Sequence, residues 1–233
     1  MILRKPITTY ITQGFYEWIS WFYPQVEELI DDWKIKNQSH GSSISNYQQS
    51  PSWKHLYPNS QTSKVTSTLL LFSLFIDWFD LLTNKLAGKQ VLVGVVALNC
   101  LNLPPSTRWK LQNTFVAGMI PPPNEPNPIT IHDIPIPLVK NLIKLKSGIK
   151  ICTPKSPNGH NVVVKLGCLM GNLVATHKGT GFTSHSENMF CNWCECTKSE
   201  IGNLKVGRFC KGRIVQDYSN AFKMQRLRPK LIV

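Results

Sequence analysis

Acidic residues are what this sequence is short of. Its 233 residues hold 13 Asp and Glu against 26 Lys and Arg, a formal net charge of +13. The shortage is also local: from Ile134 to Ser186 there are seven lysines and no acid. Such a field favours a polyanionic partner over a merely solvated basic surface, and the nucleic-acid backbone is the commonest polyanion. Long hydrophobic runs are missing too. The stretch from Val65 to Ile76 is shorter than the ~20 apolar residues a membrane helix needs, and Asp77 closes it. The opening Met1-Ile-Leu-Arg-Lys-Pro6 has charge but no apolar segment with a cleavage site behind it, so neither a membrane nor an export route is expected. The cysteines, seven in number, do not pair evenly, and three crowd at 191, 194 and 196. A reducing, intracellular setting with a metal-type cluster fits this better than a disulfide framework.

What is present divides into four parts. Residues 1–36 are aromatic-rich and predict a small helical N-terminal segment. Pro24 opens its second helix, where a missing N–H costs little, and Val26, Leu29, Ile30 and Trp33 share a face opposite Glu27, Glu28, Asp31 and Asp32. That acidic face would repel phosphate, so the segment is read as packing rather than as DNA-reading. Residues 37–66, rich in Ser, Asn and Gln, form a polar linker. Residues 67–184 carry the core, and residues 185–233 a cysteine-rich insertion followed by a basic tail that stops short.

The order of elements in the core is informative. Thr68 to Trp78, Gln90 to Leu101 and Asn113 to Ile120 read as strands, the second ended by Pro104 and Pro105. Leu138 to Lys146 has helical spacing with interleaved lysines, and Gly148 is a fitting stop. A fourth strand, Val162 to Met170, precedes a short helix over 173–178. Strand-strand-strand-helix-strand-helix predicts an α/β chain with the mixed sheet of an RNase H-like fold, the fourth strand lying beside the first. Asp77, at the tip of the first strand, and Asn172, just past the fourth, then become neighbours. That geometry suits two-metal phosphoryl transfer, in which carboxylates on adjacent strands hold two Mg²⁺ or Mn²⁺ ions ~4 Å apart. Hard cations want charged oxygen ligands, and Asn172 offers only a neutral amide. A third acid is also required. The acids after 172 are Glu187, Glu195, Glu200 and Asp217, none of them on a clear late helix.

Several ordered motifs carry a family resemblance. Phe75-Ile-Asp-Trp-Phe-Asp80, Asn84-Lys-Leu-Ala-Gly-Lys89, Cys100-Leu-Asn-Leu-Pro-Pro105, Ala117-Gly-Met-Ile-Pro-Pro-Pro-Asn-Glu-Pro126 and Gly181-Phe-Thr-Ser-His-Ser186 with Phe190-Cys-Asn-Trp-Cys194 resemble the core of CACTA-type (En/Spm) DNA transposases of the fungal kind. The similarity spans about residues 67 to 200. It implies a nuclear DDE enzyme that cuts and joins DNA at element ends. By that resemblance Asp77 is the first catalytic aspartate, and Asn172 stands where the second belongs. The third acid has no counterpart, so this copy is expected to be catalytically impaired, or a non-catalytic DNA-binding remnant able to associate with intact transposase copies.

Cys191-Asn-Trp-Cys194-Glu-Cys196 is a separate constellation. A two-residue gap lets both sulfurs face one Zn²⁺ at ~2.3 Å, with Cys196, His185 or Cys210 to complete a tetrahedron; thiols in a broken site are the alternative. Cys100, Cys152 and Cys168 read as packing residues. A thiol enzyme built on Cys191 or Cys194 with His185 as base lacks an orienting acid in the sequence. Lys140, Lys144, Lys146, Lys150 and Lys178 are the candidate phosphate contacts, and Trp78, Trp109 and Trp193 default to core positions.

Overall fold

Apolar residues recurring at Phe15, Trp18, Ile19, Phe22, Tyr23, Val26 and Ile30 form one face of a single helix, and all seven are buried. The computed structural model describes residues 11–38, 45–57, 67–80, 92–121, 135–172, 176, 188, 191 and 194–203. In chain order they form β1 (Ile11–Thr12), α1 (Phe15–Gln38), α2 (Pro51–Leu56), β2 (Ser67–Asp80), β3 (Leu92–Cys100), α3 (Pro105–Arg108), β4 (Thr114–Ile120), α4 (Ile136–Leu145), β5 (Ile149–Ile151) and β6 (His160–Met170). The class is mixed α/β, with a six-stranded mixed sheet in the order β1-β4-β3-β2-β6-β5. Contacts divide the chain into two units, one of Met1–Phe75, Val95–Ile120 and Pro137–Leu169, the other of Ile76–Gly94, Pro121–Ile136 and Met170–Val233.

In the first unit, α1 forms the core with β2 and β4 through aromatic rings. Phe15 meets Phe72 edge-on at 5.3 Å and Phe115 at 4.8 Å, while Trp18 stacks on Phe22 at 4.3 Å. Each such pair adds ~0.5–1.5 kcal/mol to the area it buries. The sequence places a helix start at Pro24, whereas α1 runs through it. An interior proline removes one N–H and crowds the carbonyl four residues earlier, a cost of ~3 kcal/mol. Aromatic burial before it and aliphatic burial after it keep the helix whole, and the Gln25 side-chain amide donates to the Trp21 carbonyl at 2.9 Å. Past the proline the buried face differs from the one the sequence suggests. Glu27, expected outward, is buried and accepts from the Tyr23 hydroxyl at 3.3 Å; Leu29, expected inward, is exposed. Tyr23 also lies 3.3 Å from the Thr68 hydroxyl, which bonds His160 at 2.7 Å and so ties α1 to β2 and β6.

The described part of the polar stretch, residues 45–57, is helical and docked rather than loose. Gln48 accepts from the Trp33 indole at 2.8 Å and donates to the Leu101 carbonyl, to which the Tyr47 hydroxyl also donates at 2.6 Å. Arg108, buried, lies 4.4 Å over the Tyr47 ring and donates twice to the Leu103 carbonyl.

Asn102 explains part of the Cys100-to-Pro105 motif. Its side chain imitates a strand: Oδ1 accepts from the Leu71 N–H at 2.7 Å and Nδ2 donates to the Leu69 carbonyl at 3.1 Å. Both bonds lie where β3 has ended, so the amide continues the ladder on β2 beside the Leu101-to-Leu71 backbone bond. Asn102→Ala should therefore leave a buried N–H and a part-buried carbonyl unpaired and lower stability by about 2–4 kcal/mol. Urea unfolding checks it, and a loss under ~0.5 kcal/mol would contradict the bonding described.

The strands and α4 fall close to where the sequence places them. Gly148 ends α4 at φ +93°, a conformation side chains resist, and Gly159 makes the β5–β6 turn at φ +87°. β5 pairs antiparallel with β6, Ile149 opposite Val162, and β1 antiparallel with β4. Neither β1 nor β5 is foreseen from the sequence, because two or three residues carry no readable alternation. The helix expected over 173–178 lies outside the described residues except at Thr176. Among the described residues, no helix is long and apolar enough to cross a membrane.

Candidate functional site

β2 and β6 are neighbours in the sheet, and in the second unit they bring together two residues 95 positions apart. Asn172 Nδ2 donates to Asp77 Oδ1 at 2.6 Å. The same Oδ1 accepts the backbone N–H of Trp78 at 2.9 Å. An ionised carboxylate only accepts, so the Asn172 amide must turn its nitrogen toward Asp77 and its oxygen away. The Asn172 carbonyl accepts both the N–H and the hydroxyl of Thr176, at 2.9 and 3.0 Å, and this helical turn holds the Asn172 backbone. Asp77 is half-buried and Asn172 exposed.

Asp77 does not stand at the tip of its strand. β2 continues through Trp78 and Phe79 to Asp80, because aromatic residues pair well on a pleated surface and prolong the ladder. Asp77 thus projects from within a strand, beside Asn172.

These residues do not fit a pair of divalent cations. Two-metal chemistry needs several charged oxygens converging on the ions. Here one carboxylate faces an amide N–H, a donor that occupies the direction a cation would take. Of the further acids, Glu200 is committed elsewhere. Glu200 Oε2 accepts the N–H and hydroxyl of Thr197 at 2.7 and 2.6 Å, which holds its carboxyl below the usual range. It caps the 3-10 turn Lys198–Asn203. Glu187 and Asp217 lie outside the described residues.

The cysteine cluster is described in part. Cys191 and Cys194 are half-buried and Cys196 is buried, with its thiol 3.5 Å from the Thr197 carbonyl. Among the described residues no three His, Cys, Asp or Glu side chains converge to hold a metal. His185 and Cys210 lie outside the described residues, as do Lys178 and Trp193. Of the three cysteines read as packing, Cys100 is buried, and burial pushes its thiol up to about 12; Cys152 and Cys168 are exposed. Cys152 lies just past β5, and the face of β6 that is buried at Val162 and Val164 is exposed at Leu166 and Cys168, so an apolar run does not ensure burial.

Lys140, Lys144, Lys146 and Lys150 are all exposed, the first two one turn apart on α4 and the last on β5. Lys155 is committed elsewhere, to Asp31 at 2.9 Å, in an exposed surface pair that water and salt screen. Trp109, expected in the core, is 51 % exposed beside exposed Lys110. It stands at the C-terminal end of α3, where the preceding Arg108 is the buried side chain. Comparison with protein-family models and with curated proteins finds no match for this chain.

Proposed function

We propose that the chain is a DNA-binding protein of the DDE transposase lineage, with an RNase H-like core that has lost metal-dependent strand cleavage. The observation that carries this reading is the hydrogen bond from Asn172 to Asp77, two residues 95 apart in sequence. Support also comes from the neighbours of β2, which are β3 on one side and β6 on the other. An active site of that lineage wants a carboxylate at 172. With an amide there, in-line displacement lacks the charge that steadies the leaving oxygen, and binding without cutting is what remains.

Binding rests on charge. Lys140, Lys144, Lys146 and Lys150 would each neutralise a phosphate, and exposed Trp109 is suited to stacking on an unpaired base. Fluorescence anisotropy on duplex DNA across a salt series tests this. Four phosphate contacts correspond to a slope of log K on log salt near about −3.6, and no cleavage is expected with Mg²⁺ or Mn²⁺. Absent or salt-insensitive binding would remove the DNA reading. Metal-dependent cutting that disappears in Asp77→Ala would instead restore the enzyme.

A further inference from the structure

The β5–β6 connection is built from two successive β-turns, each with proline in second place. Thr153-Pro154-Lys155-Ser156 closes with N–H-to-carbonyl bonds in both directions between Thr153 and Ser156, at 3.2 and 3.1 Å. Ser156-Pro157-Asn158-Gly159 closes with the Gly159 N–H on the Ser156 carbonyl at 2.9 Å. Pro154, Lys155, Pro157 and Asn158 are exposed, so Ser156 joins the two turns at the surface. The sequence holds three Ser-Pro or Thr-Pro pairs, at Ser50, Thr153 and Ser156, and the fold treats their hydroxyls differently. Ser50 Oγ accepts the Trp53 N–H at 3.2 Å and starts α2. Thr153, only 5 % exposed, accepts the Ser156 N–H on Oγ1 at 3.0 Å. Among the described residues the Ser156 hydroxyl makes no hydrogen bond.

We propose that Ser156 is the phosphate-acceptor site for a proline-directed protein kinase, and that the phosphate weakens DNA binding. Pro157 carries the selectivity. It offers no backbone N–H, and it biases Ser156 toward the extended conformation in which a kinase cleft takes its acceptor. Ser156 Oγ attacks the γ-phosphorus of the ATP that the kinase holds with Mg²⁺. The new O–P bond forms as the bridge between the β- and γ-phosphates breaks; ADP leaves, and the hydroxyl proton passes to the kinase's catalytic aspartate. The phosphate then lies among cations. Lys155 precedes it, held by Asp31 of α1 at 2.9 Å. The Lys150 stem crosses Gly159 so closely that a Cβ there would lie 2.7 Å from Lys150 Cγ. A phosphoserine carries about −1.5 to −2 charges against the single charge of Asp31, and so competes for both lysines. Lys150 is one of the four proposed phosphate contacts, and its capture takes that contact from DNA. This second effect rests on the DNA reading; the modification itself does not.

The test incubates the full chain with a purified proline-directed kinase and Mg²⁺-ATP and maps phosphate by peptide mass spectrometry. Ser156 should be modified ahead of Ser50 and Thr153. Ser156→Ala should lose that signal, and Pro157→Ala should lose most of it while keeping the circular dichroism of the wild type, since Pro157 stands in an exposed turn. An unmodified Ser156, earlier modification of Ser50 or Thr153, or a wild-type rate in folded Pro157→Ala would each overturn the site. In the anisotropy series the phosphorylated chain should bind more weakly, with a slope of log K on log salt smaller by about 0.9, the value of one phosphate contact. Unchanged affinity and slope would overturn the regulatory effect. A chain phosphorylated at Ser156 that binds no DNA in either form would remove the DNA reading, and the regulatory effect with it, while confirming the site.

Discussion

Asn172→Asp is expected to convert the Asp77 site into one that binds a divalent cation. The amide nitrogen of Asn172 is 2.6 Å from Asp77 Oδ1, so an aspartate in the same rotamer brings a second carboxylate to nearly the same place. Two carboxylates that close cannot both stay ionised without a proton or a cation between them. In metal-free buffer the variant should be less stable than wild type. One carboxyl of the pair then has a folded-state pKa raised above its unfolded value, so its contribution is present at low pH and lost as pH rises through that raised pKa. Adding Mn²⁺ or Mg²⁺ should reverse the deficit. At a metal concentration 100 times the dissociation constant the gain is ~2.7 kcal/mol, readable as a rise in melting temperature absent from wild type. Asp77→Asn in the Asn172→Asp background should abolish it. Equal metal responses in wild type and variant would show that Asp77 and residue 172 do not form the centre of a metal site.

Phe72→Ala is expected to cause the largest loss of stability of any single change considered. Phe72 is fully buried on β2 and receives both Phe15, edge-on at 5.3 Å, and Trp18, at 6.3 Å. Truncation removes the ring's transfer energy and leaves a cavity between helix and sheet that neither partner can collapse into, a loss of ~3–5 kcal/mol. Against a typical total of ~5–15 kcal/mol, that is a large share of folding stability. Phe79→Ala on the same strand supplies the comparison. Its side chain is 44 % exposed, and a change of about 1 kcal/mol or less is expected. Denaturant unfolding of the two variants should separate them by midpoint with unchanged slope. Similar losses for both would mean that the α1–β2 seam is not where the core energy lies.

Much of the core sheet is legible in the sequence, and for a local reason. β2, β3, β4 and β6 are long enough for β-branched and aromatic enrichment to show, and α4 repeats its apolar residues at helical spacing until Gly148 stops it. The candidate site is partly legible. Asp77 closes an apolar run and Asn172 follows another, and a return strand beside the first makes them neighbours. Their hydrogen bond, the orientation it forces on the amide, and the three further residues of β2 beyond Asp77 depend on pairing and cannot be read locally. Glu200 shows the same divide: its carboxylate is a sequence fact, and its commitment to Thr197 is a matter of geometry.

By itself, then, the sequence determined the mixed α/β class, most of the long elements, the basic field with its lysines, and the amide where a metal site wants an acid. These depend on residue type and on periods of two or about 3.6 residues, which the chain carries within a few positions. Tertiary structure alone decided that α1 runs unbroken through Pro24, that Glu27 turns inward, that Gln48 and Asn102 bond across 53 and about 31 to 33 positions, and that Trp109 stays half exposed. For α1, Gln48 and Asn102, burial or a distant hydrogen bond outweighs a local preference of a few kcal/mol at most, and no short window of the sequence contains both partners.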